Sequence, residues 1–401
     1  MIMPSAPRAR QQGMLLPALV LLLALGGLGW LLARHDTPAD RAARQLQADL
    51  RTTRALQTAR EALLGFAATY RNKEHPTADF GYLPCPDLDG DGSSETCGQQ
   101  GRPAVGRLPY LTLNLPDLRD GAGECLWYAV AGTFKNNPKP EALNWDSTGG
   151  FRLRDGAGQV IALPGDQAGL AAALIIAPGS PMPGQQRSPG PGRCGGDPEA
   201  RHIEAYLEII GSPLGNPPID VPTTRPESND RLLTIATDDI YQQLERRGNF
   251  GSHLQKVFQS LADCLSTSAL PEPLDGEVHG PVRLGRMPAI DRLQGPCRTP
   301  ELRDPAGNWA SMMRYARCTS GGRCLTGLGQ TCRGALIFGG ERLGGQRRLP
   351  PLEQQGNDAY LEDTTLAALT TGQLGTMPTR IDLPTAGPNR PAANDVALCL
   401  P

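Results

Sequence analysis

The most pronounced hydrophobic pattern in the chain is an apolar segment, residues 14–33, that contains no charged side chain. A helix of about 20 residues extends about 30 Å, which matches the hydrocarbon thickness of a bilayer. Arg8 and Arg10 precede the segment, and no acidic residue occurs before Asp36. Because basic flanks stay on the cytoplasmic side, the pattern predicts one transmembrane helix, with the rest of the chain exported.

A cleaved secretory signal peptide is the alternative interpretation of this segment. The apolar region of a signal peptide usually has about 7–15 residues, which is shorter than the segment here. No clear small-x-small cleavage site follows before Arg34 and Asp36. The sequence therefore favours a retained anchor over a cleaved signal.

A long amphipathic helix is predicted directly after the apolar segment. Asp36 or Thr37 can cap its first turn, and Pro38 suits the start of a helix. Apolar or small side chains then recur every three or four residues, which is the spacing of one helix face. These positions are Ala39, Ala42, Leu46, Leu50, Thr53, Leu56, Ala59, Leu63, Phe66 and Tyr70. We expect this face to pack on the protein's own domain or on a neighbouring subunit's helix.

Short segments of the first half recur in the same order in the second half, which indicates an internal repeat. The matching pairs are 88–90 with 274–276, 106–109 with 285–288, 116–123 with 300–307, 173–176 with 335–338, 184–187 with 344–347, and 205–208 with 359–362. A second helix, roughly 238–266, precedes the second set. The pattern predicts an α+β fold in which a helix packs on a small antiparallel sheet, twice in tandem.

The expected strands and turns divide the chain. Strands are predicted near 125–131, 171–177 and 204–210, and at their counterparts in the second copy. A Pro- and Gly-rich stretch marks the linker between the copies. The predicted divisions are 1–13 (leader), 14–33 (transmembrane helix), 34–210 (long helix and first head), 211–230 (linker), 231–377 (second head) and 378–401 (tail).

Composition restricts the class of function. The formal net charge of the 401 residues is −2 and only 5% of them are aromatic, which argues against a nucleic-acid-binding protein. All ten cysteines follow residue 84, and this distribution predicts disulfides formed in an oxidising compartment. Reduced thiols or a zinc site are the alternative, although the chain has no CxxC pair and no histidine near the cysteines over 318–332.

An acidic turn in the first half is the candidate metal site. Its carboxylates alternate ahead of Gly92, and oxygen ligands at such spacing suit Ca²⁺. The predicted ligands are Asp87, Asp89, Asp91 and Glu95. Cys85 and Cys97 flank the turn and are a candidate disulfide that would close it. A calcium loop usually ends in a bidentate glutamate, where this chain has Gly98, so a metal-free surface turn is the alternative.

Catalytic motifs are not found in the sequence. The five histidines are scattered, and none lies in an HExxH pattern. GxSxG, P-loop and strand-following GxGxxG motifs are likewise missing. We therefore expect a protein that is not an enzyme.

The N-terminus resembles that of a type IV prepilin, with a basic leader, then Gly13, then the apolar helix. In that family a membrane peptidase cleaves after the glycine, so the resemblance implies processing between Gly13 and Met14. Prepilins usually carry glutamate at the fifth mature position, where this chain has Ala18. Minor, tip-located pilins share that departure, and it equally permits an anchor that is never processed.

Motifs after the long helix extend the resemblance to roughly residues 8–245. LPCPD over 83–87, GRLP over 106–109 and the block over 118–129 are similar to motifs of large pilin-like proteins. The block 118–129 also resembles the DPWGN turn of type II secretion pseudopilins, some of which use calcium to order a loop.

The resemblance implies a structural subunit of a type IV pilus or type II secretion apparatus, minor or tip-located, with adhesion as one role. Its partners would be other pilins or pseudopilins through the N-terminal helix, the inner membrane and prepilin peptidase, but no nucleic acid. The implied location is single-pass in the inner membrane, N-terminus cytoplasmic and bulk periplasmic, or at the cell surface or pilus tip. The alternative is an unprocessed, membrane-anchored periplasmic binding protein with a calcium-ordered loop.

Overall fold

The structure, a computed structural model, describes residues 15–34, 37–73, 75, 78–187, 194, 203–211, 214–266, 269–288, 290, 293, 299–327, 329–349, 354, 356–375, 377–383 and 394–401. Within these ranges the helices are α1 (Leu15–Arg34), α2 (Pro38–Lys73), α3 (Thr237–Glu245), α4 (Phe250–Ser266), α5 (Pro300–Trp309) and α6 (Asp363–Thr371). The strands are β1 (Ala104–Arg107), β2 (Trp127–Val130), β3 (Phe151–Arg154), β4 (Val160–Ile161), β5 (Ala171–Ala177), β6 (Ile219–Pro222), β7 (Arg231–Ala236), β8 (Leu274–His279), β9 (Val282–Arg286), β10 (Met313–Cys318), β11 (Leu325–Gly327), β12 (Gln330–Cys332), β13 (Gly334–Phe338), β14 (Gln373–Gly375) and β15 (Val396–Leu400).

These strands form three sheets, so the chain is a mixed α/β protein. The first sheet has seven strands in the order β1-β2-β5-β3-β4, with β6 paired to β3 and β7 paired to β5. The second sheet has five strands in the order β15-β13-β10-β9-β8, and the third has three in the order β12-β11-β14. Two of the pairs, β3 with β6 and β11 with β14, are parallel.

This architecture corrects the predicted fold. The sequence predicted two copies of a helix on one small antiparallel sheet, whereas the protein has three sheets and parallel pairs in two of them. Strand β6 lies inside 211–230, the stretch predicted to be a linker. Its partner β3 is far away in the sequence, and parallel strands need a long crossover, so no local pattern reveals the pairing. The region 204–210, predicted to be a strand, instead starts with a 3₁₀ helix at Ile203–Ala205.

Helix α1 occupies the segment that was predicted to cross a membrane. A span needs about 20 consecutive, predominantly apolar residues. Across the part of the chain that the structure describes, no helix has both the length and the apolar character for this. The predicted transmembrane helix over 14–33 and the predicted single-pass location in the inner membrane are therefore wrong.

Helix α2 is buried along only part of its length. Its first turns, up to Arg51, are mostly exposed, whereas buried positions begin at Thr52 and continue to Tyr70. The buried part packs against β5, β7 and α3. The predicted apolar face therefore divides, because its later members lie in the core while Leu46 and Leu50 remain 60% and 47% exposed.

The first and second sheets share one arrangement of four antiparallel strands, β1-β2-β5-β7 and β9-β10-β13-β15. Gly106 of β1 lies opposite Tyr128 of β2, and Gly285 of β9 lies opposite Tyr315 of β10. A Cβ atom at Gly106 would lie 2.4 Å from the Asp87 carbonyl oxygen, and one at Gly285 would lie 2.3 Å from that of Leu274. The repeated glycines are thus required by the same close approach of the chain.

A helix covers each of these sheets. Helix α4 packs on β15 and α5, as α2 packs on β5 and β7. Strands β7 and β15 complete the two sheets, although the division by sequence assigns 231–236 to the second head and 396–400 to the tail. The core is continuous between the two halves, with Trp145 of the first half packed edge-on against Trp309 of the second at 5.0 Å.

Candidate metal site

Four carboxylates come together in the loop between α2 and β1. One carboxylate oxygen from each of the four residues lies within 4.8 Å of the others. These residues are the ones predicted from the sequence, Asp87, Asp89, Asp91 and Glu95. Because the possible ligands are all carboxylate oxygens, the cluster fits a hard cation such as Ca²⁺ better than a thiophilic metal.

Backbone amides of the loop hold two of the carboxylates in place. The oxygens of Asp87, a buried residue, accept hydrogen bonds from Gly90 N at 2.6 Å and Gly92 N at 2.8 Å. The carboxylate of Glu95 accepts a hydrogen bond from Leu88 N at 2.7 Å. Such side-chain-to-backbone bonds are typical of Asx turns, and they explain why aspartate and glycine alternate here.

The electrostatics of the loop reflect crowding of like charges. Asp89 and Asp91 are exposed, whereas Asp87 is buried. Burial raises the pKa of Asp87, and the charges of Asp91 and Asp89 raise it further. Burial likewise raises the pKa of Glu95, followed by the charge of Asp87. A cation among the carboxylates would relieve both the repulsion and the desolvation of Asp87.

Covalent and polar contacts fix both ends of the loop. Cys85 and Cys97 form the disulfide that was proposed for them, with Cα atoms 5.7 Å apart. The ammonium group of Lys135 donates to the carbonyl oxygens of Cys97 at 2.5 Å and Gln99 at 2.6 Å. A loop held in this way keeps its carboxylates close together before any cation arrives.

The prediction of disulfides is confirmed. Besides the pair that closes the acidic loop, the described bonds are Cys125–Cys194, Cys318–Cys324 and Cys332–Cys399. Cys264 is also disulfide-bonded, and no cysteine among the described residues is free. Bonds of this number are typical of proteins that fold in an oxidising compartment.

Two buried clusters of arginine and tyrosine were not predicted from the sequence. Arg187 lies over the Tyr206 ring at 5.0 Å, and Arg348 lies over the Tyr360 ring at 4.4 Å. The Arg187 guanidinium donates to the carbonyl oxygens of Ala205 and Gly179 and to the side chain of Gln185. The Arg348 guanidinium makes the equivalent bonds to Ala359, Gly340 and Gln346. The signal was present in the sequence as the repeated Ala-Tyr-Leu-Glu and Gly-Gln segments, but no pattern showed that they meet.

A buried polar cluster joins the two halves. Asp79 Oδ1 lies 2.9 Å from His253 Nε2, and Asp79 Oδ2 accepts a hydrogen bond from Trp309 Nε1 at 2.5 Å. An Asp–His pair can serve acid–base chemistry only beside a reacting group. Among the described residues, the hydrogen bonds of His253 include none to a serine, threonine or cysteine side chain. The cluster links the segment after α2 to α4 and α5.

The proposed processing residues, Gly13 and Met14, lie outside the described residues. Comparison of the chain with protein-family models, curated proteins and solved structures gives no match.

Proposed function

We propose that the protein is a non-catalytic assembly subunit of the type IV pilus or type II secretion kind. In this proposal, α1 and the exposed part of α2 pack against the N-terminal helices of neighbouring pilin-like subunits. The observation that carries the proposal is the exposure of apolar side chains along both helices, among them Leu22 and Leu23 on α1 and Leu46 and Leu50 on α2. Covering such side chains is favourable by roughly 25 cal/mol per Å² of apolar area.

The attachment of α2 supports the same proposal. Leu46 and Leu50 are four residues apart and so share one helix face. The later turns of α2 are fixed in the core, where Ala59 and Leu63 are fully buried. Because the helix is continuous from Pro38 to Lys73, its exposed face is presented in a fixed direction. A rigid, partly apolar helix that extends from a folded body is suited to helix packing between subunits.

Site-specific photo-crosslinking tests this proposal in the producing cell. A photoreactive amino acid at Leu46 should give covalent adducts between subunits. The second peptide should come from the N-terminal helix of another copy of this protein or of another pilin-like subunit. The same probe at Val278, which is 61% exposed on β8, is the matched control and should give none of these adducts. Equal yields at both positions, or no helix adduct from Leu46, would contradict the assembly role.

A second candidate function, binding that depends on a calcium-ordered loop, is favoured by the carboxylate cluster. Asp87 and Glu95 are already fixed by backbone amides, while Asp89 and Asp91 are exposed beside them. A cation would bridge the fixed and the exposed carboxylates and stiffen the loop. The ordered loop would then present one defined surface to a glycan or protein.

We predict that Ca²⁺ binds this loop with a dissociation constant of about 10⁻⁴–10⁻³ M, as in extracellular calcium modules. At a hundredfold excess of Ca²⁺ over that constant, the free energy of unfolding should rise by about 2.7 kcal/mol. Calorimetric titration and thermal unfolding with and without Ca²⁺ measure both quantities. The variant Asp89→Asn/Asp91→Asn should lose most of the effect, because it removes two of the four carboxylates. The loop itself should stay folded, since Asp87 still accepts its backbone hydrogen bonds.

The control keeps the same change in charge at exposed positions elsewhere. Glu204→Gln/Glu227→Gln alters two exposed carboxylates outside the loop and should bind Ca²⁺ as the unaltered chain does. Equal Ca²⁺ affinity in both double variants would show that the loop is a metal-free turn.

A further inference from the structure

The last strand of each large sheet begins beside a pair of acidic side chains. Asp230 immediately precedes β7, and Asp395 immediately precedes β15. Each aspartate contacts the glutamate that ends a repeated Ala-Tyr-Leu-Glu segment, Glu208 in the first half and Glu362 in the second. The same two residue types thus meet at equivalent positions of both halves, which indicates a built feature rather than a chance contact.

In the second half each side chain of the pair accepts a hydrogen bond from the backbone of the segment that carries the other. Asp395 Oδ2 accepts a hydrogen bond from Glu362 N at 2.9 Å, and Glu362 Oε1 accepts one from Asn394 N at 3.0 Å. Asp395 is only 3% exposed, and the neighbouring Glu362 side chain raises the pKa of its carboxyl group. This arrangement uses one oxygen of each carboxyl group and brings the two groups side by side.

The remaining oxygen of each carboxyl group is buried as well. Asp395 Oδ1 and Glu362 Oε2 have no hydrogen-bond partner among the described residues. The Thr365 hydroxyl lies near Asp395 and lowers its pKa, but it forms no hydrogen bond to Oδ1. Two ionised carboxylates here would repel each other and leave two buried acceptors unsatisfied. A single proton would remove one of the two charges and make one of these oxygens a donor.

The first half provides an internal comparison. Asp230 Oδ2 accepts hydrogen bonds from Glu208 N at 2.7 Å and Ile209 N at 3.1 Å. Its Oδ1 is buried and has no partner within the described part of the chain. Glu208, unlike Glu362, has side-chain donors on both oxygens, the Gln185 amide and the Ser228 hydroxyl at 3.1 Å. Because these donors stabilise the ionised glutamate, the first pair has less need of a proton.

Charged groups on neighbouring segments act on both pairs. Burial and the Glu208 charge raise the pKa of Asp230 to about 7, and Arg187 opposes this increase. Burial, followed by contact with Glu362, raises the pKa of Asp395 further, well above its usual range. The charge of Asp395 raises the pKa of Arg348, but the Arg348 guanidinium donates its hydrogen bonds to other acceptors.

We propose that Glu362 and Asp395 share one proton at neutral pH, and that this proton fastens β15 to the segment entering α6. We call this pair the carboxyl latch, and Glu208 with Asp230 is its weaker counterpart on β7. The latch makes the fold responsive to pH. Since the folded state favours the protonated form, the latch stabilises the protein most in acid. Its contribution declines as the pH rises from the ordinary carboxyl pKa through the raised pKa of the folded state.

Unfolding of the full-length, disulfide-bonded chain in urea at pH 5, 6, 7 and 8 tests the latch. Asp395→Asn supplies an amide donor in place of the proton and should not lose stability with pH through this site. Relative to Asp395→Asn, the unfolding equilibrium constant of the unaltered chain should rise by up to tenfold for each pH unit. Glu362→Gln should reduce the pH dependence of unfolding to a similar extent. The double variant should reduce it no further, because the pair holds a single proton.

Two further measurements keep the proposal testable if a variant fails to fold. Infrared spectra of the unaltered chain at pH 7 should show a protonated carboxylic acid that disappears at alkaline pH. Asp230→Asn, the matched control, should alter the pH dependence only below about pH 7. Identical pH slopes in the unaltered chain and Asp395→Asn would overturn the proposal. So would millimolar Ca²⁺ or Mg²⁺ that abolishes the slope, because the pair would then hold a cation.

Discussion

Replacing Asp79 by alanine is expected to lower the free energy of unfolding by about 3–5 kcal/mol, because it removes the acceptor at the centre of a buried cluster. Asp79 is 1% exposed and accepts hydrogen bonds from Trp309 Nε1, from Asn308 Nδ2 at 3.3 Å and from the Phe80 amide at 2.8 Å. Its other contact is His253 Nε2 at 2.9 Å. Alanine would leave the Trp309 indole and the Phe80 backbone amide without this acceptor, whereas Asn308 Nδ2 would keep the Tyr82 hydroxyl.

The same substitution should weaken the association of the two halves. Asp79 follows α2 in the first half, whereas His253 lies on α4 and Trp309 ends α5 in the second half. Chemical denaturation followed by tryptophan fluorescence measures the effect, since Trp309 and Trp145 lie in this region. Asp79→Asn is the matched control, because it keeps the shape and one acceptor oxygen, and it should cost less than alanine. A loss below about 1 kcal/mol in Asp79→Ala would show that the cluster is not required.

The repeated segments of the chain predicted where equivalent residues lie, but not their register. The sequence match aligned Ala173 with Ala335, whereas the strand ladders place Ile175 and Leu336 opposite the equivalent tyrosines Tyr128 and Tyr315. The true offset is one residue shorter. A shift of one residue transfers every side chain of a strand to the other face. Short apolar runs look alike at either offset, so only the cross-strand pairing resolves them.

The acidic loop could be predicted because its chemistry is local. All four carboxylates lie within one short turn, and the flanking cysteines close it. The Asp79–His253 contact could not be predicted from the sequence, since the partners are separated by 174 positions and neither lies in a motif. The same holds for β6, whose parallel pairing with β3 depends on how the intervening chain folds. The local sequence pattern therefore predicted the acidic loop, whereas the Asp79–His253 contact and the pairing of β6 with β3 depend on tertiary packing.

Replacing Arg348 by methionine is expected to lower the free energy of unfolding by about 3–5 kcal/mol, because it removes one partner of a buried ion pair. The Arg348 side chain is 1% exposed, and its guanidinium lies 3.7 Å from Asp146. It also donates to the carbonyl oxygens of Ala359 at 2.7 Å and Gly340 at 2.9 Å. Burial raises the pKa of Asp146, and Arg348 is the strongest influence that lowers it. Without Arg348 the aspartate would take up a proton or destabilise the core.

Arg348→Lys should be destabilising as well, because an ammonium group cannot reproduce the planar fork that reaches several carbonyls at once. Arg347→Met is the matched control, since Arg347 is adjacent in sequence but exposed, and it should change stability by no more than about 0.5 kcal/mol. Arg187→Met, at the equivalent position of the first half, should resemble Arg348→Met. Thermal and urea unfolding of the four variants compare these effects directly. If Arg347→Met and Arg348→Met were equally stable, the repeated arginine–tyrosine clusters would not hold the loops to their sheets.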